Sequence, residues 1–241
     1  MENISFNKLL EQLTEGGRVN SLELPEGWLQ GRTAYGGVST ALMVAAIQQD
    51  HPEAPPLRSL QVTFVGPLAG RLAFSQKLLR QGKNSKIIEG EIASAEGVGL
   101  KGIFIFSNER PFTNNLTPPK RANLVRPEDG EPVLRKGPRP LFIQNFDCVW
   151  ADGSRPFGGD QTADPKFSIW FRHVDPLSRE GLVPLLAIAD APPPAMMTRY
   201  EMRTPLNGII GMHKLLRRAT LPEQRNQYLA MAETSAESLA V

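Results

Sequence analysis

Trp28-Leu-Gln-Gly-Arg-Thr-Ala-Tyr-Gly-Gly37 leads into Val38-Ser-Thr-Ala-Leu-Met-Val-Ala-Ala-Ile-Gln48, a run that is apolar almost all the way round. Such a run reads as a helix buried on every side, not a surface helix with one wet face. At about 1.5 Å per residue it spans roughly 20 Å, enough to cross a small domain. Gly36 and Gly37 stand at its start. Glycines there let a ligand approach backbone N–H groups that have no partner inside the helix. A wrapped helix with an open N-terminus is suited to polarising an ester or thioester carbonyl. The plainer reading is that the glycines only allow a tight entry turn, and on this stretch alone it is favoured.

The flanking sequence supplies a wrapping. Val19–Leu24 reads as a short strand before the helix, and Pro52, Pro55 and Pro56 end the helix. From Arg58 the period becomes two: Leu60, Val62 and Phe64 point one way, and Gly66-Pro67 closes the strand. Arg71–Arg80 alternates with Leu72, Phe74 and Leu78 on one face, Gln81–Asn84 turns, and Ser85–Ser94 returns as a hairpin partner. Gly99–Phe106 is a fourth strand of this meander. One buried helix followed by antiparallel strands describes an α+β unit, a sheet curled around a helix.

Thr117–Pro140 breaks the pattern, with prolines and charges of both signs and no hydrophobic period. A solvated linker is the favoured reading; a site for ligand phosphates is the weaker one. Beyond it the first pattern begins again, with strands at Leu141–Trp150 and Phe167–Val174 and an apolar helical run at Leu182–Ala189. This second copy stops after Asp190-Ala-Pro-Pro-Pro-Ala-Met-Met197, and the remainder of the chain is helical in character.

Composition bounds the class. The 241 residues carry 41% hydrophobic and 22% charged side chains with a net charge of +2, as in an ordinary globular protein not built to seek nucleic acid. One cysteine, Cys148, cannot form an internal disulfide and reads as a small strand residue in a reducing compartment. The N-terminal residues lack a signal peptide's apolar core and no run has the length of a membrane span, so the reading is soluble and cytoplasmic. His51, His173 and His213 lack metal-ligand spacing, and no metal is expected. Phosphate-loop, nucleophile-elbow and dinucleotide fingerprints are absent, and no cofactor is expected. Arg172-His173 beside Asp175 reads as a strand-end charge cluster rather than a catalytic group.

Gln30-Gly-Arg-Thr-Ala-Tyr-Gly-Gly37, Arg58-Ser-Leu-Gln-Val-Thr-Phe-Val-Gly-Pro67, Leu79-Arg-Gln-Gly-Lys83 and Phe106 with Arg110-Pro111 together resemble the acyl-CoA thioesterase family of double hotdog proteins, over about residues 17–197. The resemblance implies two tandem hotdogs, each a long helix wrapped by an antiparallel sheet. It implies binding and hydrolysis of acyl-CoA or a similar acyl thioester without a metal. Tyr35, Gly36 and Gly37 would bind the thioester, with the Gly37 N–H on its carbonyl. Ala187-Ile-Ala-Asp190-Ala-Pro-Pro-Pro-Ala195 resembles the family's catalytic segment, which makes Asp190 the residue to orient or deprotonate a water. The alternative for Asp190 is a helix-end carboxylate that simply reaches solvent. The family's aspartate works with a Thr or Ser and a Gln on later strands, which should follow Met197 and are missing here; hydrolysis is therefore expected to be impaired. Hotdog sheets usually pair edge to edge, so a homo-oligomer is expected.

Glu201-Met-Arg-Thr-Pro-Leu-Asn-Gly-Ile-Ile-Gly-Met212, then Leu221-Pro-Glu-Gln-Arg225 and Ser235-Ala-Glu-Ser-Leu239, resemble the dimerisation and phosphoacceptor helices of a sensor histidine kinase. Met202, Leu206, Ile209, His213 and Leu216 form a coiled-coil seam, and Thr220-Leu-Pro-Glu223 is a capping box that starts a second helix. Tyr200 occupies the position of the family's phosphohistidine, while Glu201 and Thr204 match its acid and its phosphatase-assisting residue. A tyrosine there forms a stable ester rather than a labile phosphoramidate, so no kinase activity is expected. The domains read as a hotdog at 1–116, a linker at 117–140, an incomplete second hotdog at 141–197 and a helical hairpin at 198–241. Three readings stand: an impaired acyl-CoA thioesterase-like protein, a signalling or oligomerisation module on a hotdog scaffold, and a fusion or rearranged gene joined near Met197–Tyr200.

Overall fold

A computed structural model describes residues 4–14, 21–111, 124–133, 140–155, 162 and 164–195. Two compact units divide the chain, one of residues 1–152 with 168–193 and one of residues 153–167 with 194–241. The fold and the candidate site lie in the first.

Helix α1 (Phe6–Thr14) opens the chain. Phe6, Leu9 and Leu13 recur at helical spacing and are buried, and the Ser5 hydroxyl accepts from the Lys8 amide at its start. The sequence reading passed over this element, although its three-and-four spacing was there to be seen. Strand β1 (Ser21–Leu24) follows, inside the strand expected from Val19. A 3₁₀ turn at Glu26–Trp28 and a two-residue hairpin of β2 (Leu29–Gln30) and β3 (Thr33–Ala34) then deliver the chain to helix α2 (Gly36–Asp50). Gly31 takes φ +65° in the hairpin's tight turn, a conformation that costs glycine nothing.

The meander forms as the period of two requires. Strands β4 (Leu57–Phe64), β5 (Gly70–Gln81), β6 (Ser85–Ser94) and β7 (Gly97–Ser107) join β1 in one sheet of order β1-β5-β6-β7-β4, every pair antiparallel. Leu72, Phe74, Ile88, Ile92, Leu100, Phe104 and Phe106 alternate toward a shared core with Leu42, Met43 and Ile47 of α2. Gly90 sits in that alternation, and a Cβ there would meet Met43 atoms at 3.0 Å; its absence lets the helix lie close on β6. The outer face carries the ion pairs of Lys101 with Glu89 and Glu91. Leu78 differs from its expected place: it is 42% exposed. Gln76, two residues earlier, already donates to Asp50 at the end of α2, so Leu78 runs past the helix it was expected to cover.

Helix α2 is the axis of the unit. Gly37 to Val44, Ala46 and Ile47 are all buried, as the all-round apolar run predicts. The sheet covers one side of it, and α1 and helix α3 (Leu182–Ala189) pack against others. This is the arrangement of a hotdog, and the class is α+β.

The second half starts with a 3₁₀ turn at Leu141–Asn145, which takes the first part of the strand expected from Leu141; β9 (Phe146–Gly153) takes the rest. Strand β8 (Glu131–Pro132), within the stretch read as linker, pairs with β9, and β10 (Phe167–His173) completes a sheet of order β10-β9-β8. Helix α3 has the bounds read from its apolar run. Leu185 is 59% exposed and Leu182 is also open to solvent. No helix among the described residues is long and apolar enough to cross a membrane.

Candidate functional site

The site forms where α2 begins and α3 ends. The β2–β3 hairpin is anchored by Ala34, whose amide donates to the Leu68 carbonyl, and by Tyr35, whose amide donates to the Trp28 carbonyl at 3.0 Å. These bonds fix Tyr35 as the residue preceding the first turn of α2. Its own side chain does not cap the helix. The Ser39 hydroxyl donates to the Gly36 carbonyl and the Ser39 amide to Tyr35, which tightens that turn.

The open N-terminus is capped from elsewhere in the chain. The Gly37 N–H donates to the Asp190 carboxylate. That carboxylate lies over Gly36, where an added Cβ would come within 2.6 Å of Asp190 Oδ2 and 2.8 Å of the Phe64 ring. At Gly37 a Cβ would meet the Ala187 carbonyl and the Tyr35 hydroxyl, each at 2.6 Å. The two glycines therefore serve a close crossing of α2 and α3 as well as a tight entry turn. Asp190 follows α3 as its C-terminal flanking residue, and the Ala191 amide closes the turn on the Ile188 carbonyl.

The electrostatics of the carboxylate are mixed. Desolvation raises its pKa above the usual carboxylate value, while the Gly37 amide pulls it back. Part of the residue is open to solvent, but the carboxylate itself is flanked by Phe64 and the two glycines. A carboxylate with a raised pKa and an open side is suited to orienting or deprotonating a water.

Tyr35 is fully buried, its ring stacked on Phe142 at 4.0 Å and 2° and edge-on to Phe146 at 6.2 Å. Burial first, and the Asp190 charge second, push its phenol far above the ordinary value, so it stays protonated. Its hydroxyl has no hydrogen-bond partner among the described residues; the nearby Asp190 amide does not close a bond of ordinary geometry. Cys148 on β9 is half-buried, and desolvation with the Asp147 charge lifts its thiol to about 12, so it is held as the neutral thiol at ordinary pH.

Tyr35, Gly36, Gly37 and Asp190 are thus brought together. Phe64, Phe142 and Ala187 join them, and the sequence reading assigned none of these three to the site. Phe64 was legible only as one member of an alternating strand, and nothing local marks Phe142 as the stacking partner of a tyrosine so distant in sequence. Tyr200, Glu201 and Thr204 lie outside the described residues. Of the strand-end cluster read at Arg172, His173 and Asp175, His173 is the buried member. It is 1% exposed, lies between Phe6 and Phe146, and its Nε2–H donates to the Pro184 carbonyl at 3.0 Å. Arg172 pairs with Asp147 instead, and Asp175 caps the 3₁₀ turn at Pro176–Ser178. At the other end of α2, Glu53, Lys83 and Lys86 line a polar cleft in which buried Lys86 pairs with Glu53. Among the described residues no group of three His, Cys, Asp or Glu side chains is placed to hold a metal ion.

Comparison with known proteins adds a family description to this geometry. Residues 24–107 match the acyl-CoA thioesterase N-terminal domain. Residues 197–240 match the His Kinase A (phospho-acceptor) domain. No curated protein matches the chain significantly. Among solved structures, a hot dog fold protein of unknown function from Alicyclobacillus acidocaldarius aligns with a TM-score of 0.67 at 17% identity, over 82% of this chain and 73% of its own. A protein from Thermobifida fusca, described provisionally as a thioesterase II, aligns at 0.60 and 15% identity, over 82% of this chain and 76% of its own. One from Novosphingobium aromaticivorans, described provisionally as a thioesterase, aligns at 0.52 and 15% identity, over 70% of this chain and 67% of its own. At such identities these likenesses are of fold. The chain therefore carries a match to the acyl-CoA thioesterase N-terminal domain at residues 24–107 and a match to the His Kinase A domain at residues 197–240, and the likeness to solved structures is to the hotdog fold.

Proposed function

We propose that the chain binds acyl-CoA or a related acyl thioester where α2 begins, and hydrolyses it slowly through Asp190. The observation that carries this reading is the Asp190 carboxylate held by the Gly37 amide beside Tyr35, a pKa-raised acid at a glycine-lined helix start. Hydrolysis is slow because the partners that would fix the attacking water belong on strands after Met197, where the sequence instead enters the His Kinase A match. The incomplete second hotdog at 141–197 and the hairpin at 198–241 are parts of the same proposal. Titration with acyl-CoA of several chain lengths, with thiol release followed in parallel, tests it. Binding with turnover far below the enzyme median of about 10 s⁻¹ is expected, with release abolished and binding kept in Asp190→Asn. Ordinary turnover would overturn the impairment, and failure of every acyl-CoA to bind would overturn the reading.

A second reading rests on the His Kinase A match: an oligomerisation module that uses the hotdog as a scaffold and has no kinase activity. The outer edge of β4 has no partner strand among the described residues, and Phe64 and Val65 beside it are exposed, which supports a homo-oligomer under either reading. Light scattering of the chain with and without residues 201–241 separates the two. An unchanged oligomeric state counts against the module.

A further inference from the structure

The β5–β6 turn has no part in the Asp190 site, from which the 15 residues of α2 separate it by about 22 Å. The Gly82 amide closes the turn on the Ser85 carbonyl at 2.8 Å. The Asn108 amide, just past β7, pins it by donating to the Asn84 carbonyl at 2.9 Å. With Glu53, beyond the end of α2, these residues bound an open cleft of about 170 Å³. Lys86 lines it while only 4% exposed, its ammonium paired with Glu53 and 3.5 Å from His51 Nδ1. An ammonium has three donors, so one N–H remains for the cleft. The side chains of Lys83, Asn84, Ser85 and Asn108 also line it, and none has a hydrogen-bond partner among the described residues. Two lysines face one carboxylate, which leaves the lining one positive charge in excess.

We propose that this cleft binds a phosphate group, free or as a monoester. Donors converge on it from the turn, from β6 and from the residue after β7, and a phosphate offers several acceptor oxygens to such a set. Lys83 supplies the uncompensated charge. Lys86 supplies a fixed donor, since burial and its two partners hold its ammonium in place. Glu53 is the competitor for Lys86; its side chain is 64% exposed and can turn into water when an anion enters. A cation would meet two ammonium groups and one carboxylate, so the charge balance selects the anion.

The test titrates the full ¹⁵N-labelled chain with sodium phosphate and, separately, with adenosine monophosphate, while sodium chloride holds the ionic strength constant. Neither probe carries an acyl group, so the outcome is independent of the thioester reading. The amide resonances of the turn, of Lys86 and of Asn108 should move and saturate in the millimolar range. Lys83→Gln removes an exposed charge and should weaken binding about twofold to fivefold. Glu53→Gln should strengthen it by a similar factor, because the repelling charge goes and Lys86 is released. Saturation with inorganic phosphate alone identifies free phosphate as the ligand, tighter binding of the nucleotide identifies a monoester, and equal affinities mean that the phosphate group alone is read. Shifts that fail to saturate, that chloride reproduces, or that lie away from the cleft overturn the proposal. Unchanged affinity in Lys83→Gln, or weaker binding in Glu53→Gln, overturns it as well. Should Glu53→Gln fail to fold for want of a partner to buried Lys86, Lys83→Gln alone decides.

Discussion

Helices α2 and α3 are composed of much the same apolar residues and are covered very differently. In α2 every residue from Gly37 to Val44 is buried, between the five-stranded sheet and the two other helices. In α3 only Pro184 and Ala187 are buried, and Leu185 is 59% exposed. Apolar composition therefore told where helices form but not how far each is wrapped. Wrapping depends on the strands that come next in the chain. Four long strands follow α2, whereas after α3 the described chain holds only Asp190 to Ala195. An eight-residue helix is marginal alone, so α3 owes its order to the face it lays on α2.

The largest effect should come from cutting equal side chains out of the two helices. Leu42→Ala removes a side chain with no exposure and should cost about 2–5 kcal/mol in denaturant unfolding. Leu185→Ala should stay within about 0.5 kcal/mol of the wild type. Equal costs would mean that α3 is as well covered in solution as α2, and the contrast would fail.

Next in size is the crossing itself. Gly37→Ala places a methyl group 2.6 Å from the Ala187 carbonyl and from the Tyr35 hydroxyl, closer than any real contact. One helix must move, at about 1–3 kcal/mol, and the Gly37–Asp190 bond should go with it. The pKa of Asp190, followed by NMR, would report that loss. An unchanged melting temperature and titration would show the crossing to be loose.

Legibility in the sequence divides along the same line. Alternation gave β4 and β5, the turn after β5 gave its hairpin partner β6, and the all-round apolar run gave α2, because these signals are local. Leu78 was misplaced because alternation marks a face and not where the covering helix ends. The short strand β8 was hidden in proline and charge because a two-residue pairing leaves no period to read. Asp190 and the Gly36-Gly37 pair were each picked out, yet the bond between them was not. It joins two helix ends far apart in sequence, and only packing places them together. The burial of His173 was not legible because its neighbours Arg172 and Asp175 are charged; Phe6, stacked on its ring, lies on a helix that the sequence reading passed over.

His173 offers a smaller, pH-dependent probe of the second half. Burial holds its pKa below the ordinary 6.5, against the pull of the Pro184 carbonyl. Above that pH both folded and unfolded states are neutral and the contribution is fully present. As pH falls below it, the unfolded chain takes up a proton that the folded chain refuses, so stability drops until the folded imidazole also titrates. His173→Phe should flatten this part of the pH–stability curve. A curve that keeps its slope would assign the loss to another group.

The smallest expected stability effect lies at Asp190, and its sign separates a cap from a functional acid. The raised pKa means that the ionised carboxylate is less comfortable folded than unfolded, so its favourable contribution is lost as pH rises through the folded value. Neutralisation that preserves an acceptor relieves the desolvation of this charge while keeping an oxygen for the helix start. Asp190→Asn keeps an oxygen for the Gly37 amide and removes the charge, and should leave stability at neutral pH unchanged or slightly higher. Asp190→Ala removes the acceptor and should cost about 1 kcal/mol or less, the range of a lost N-terminal cap. Chemical denaturation of both variants at neutral pH decides between the roles. If Asp190→Asn is clearly less stable than the wild type, the charge is structural and the helix start is simply capped. If it is as stable while thiol release disappears, the carboxylate is held at the start of α2 for its reactivity, at some cost to the fold.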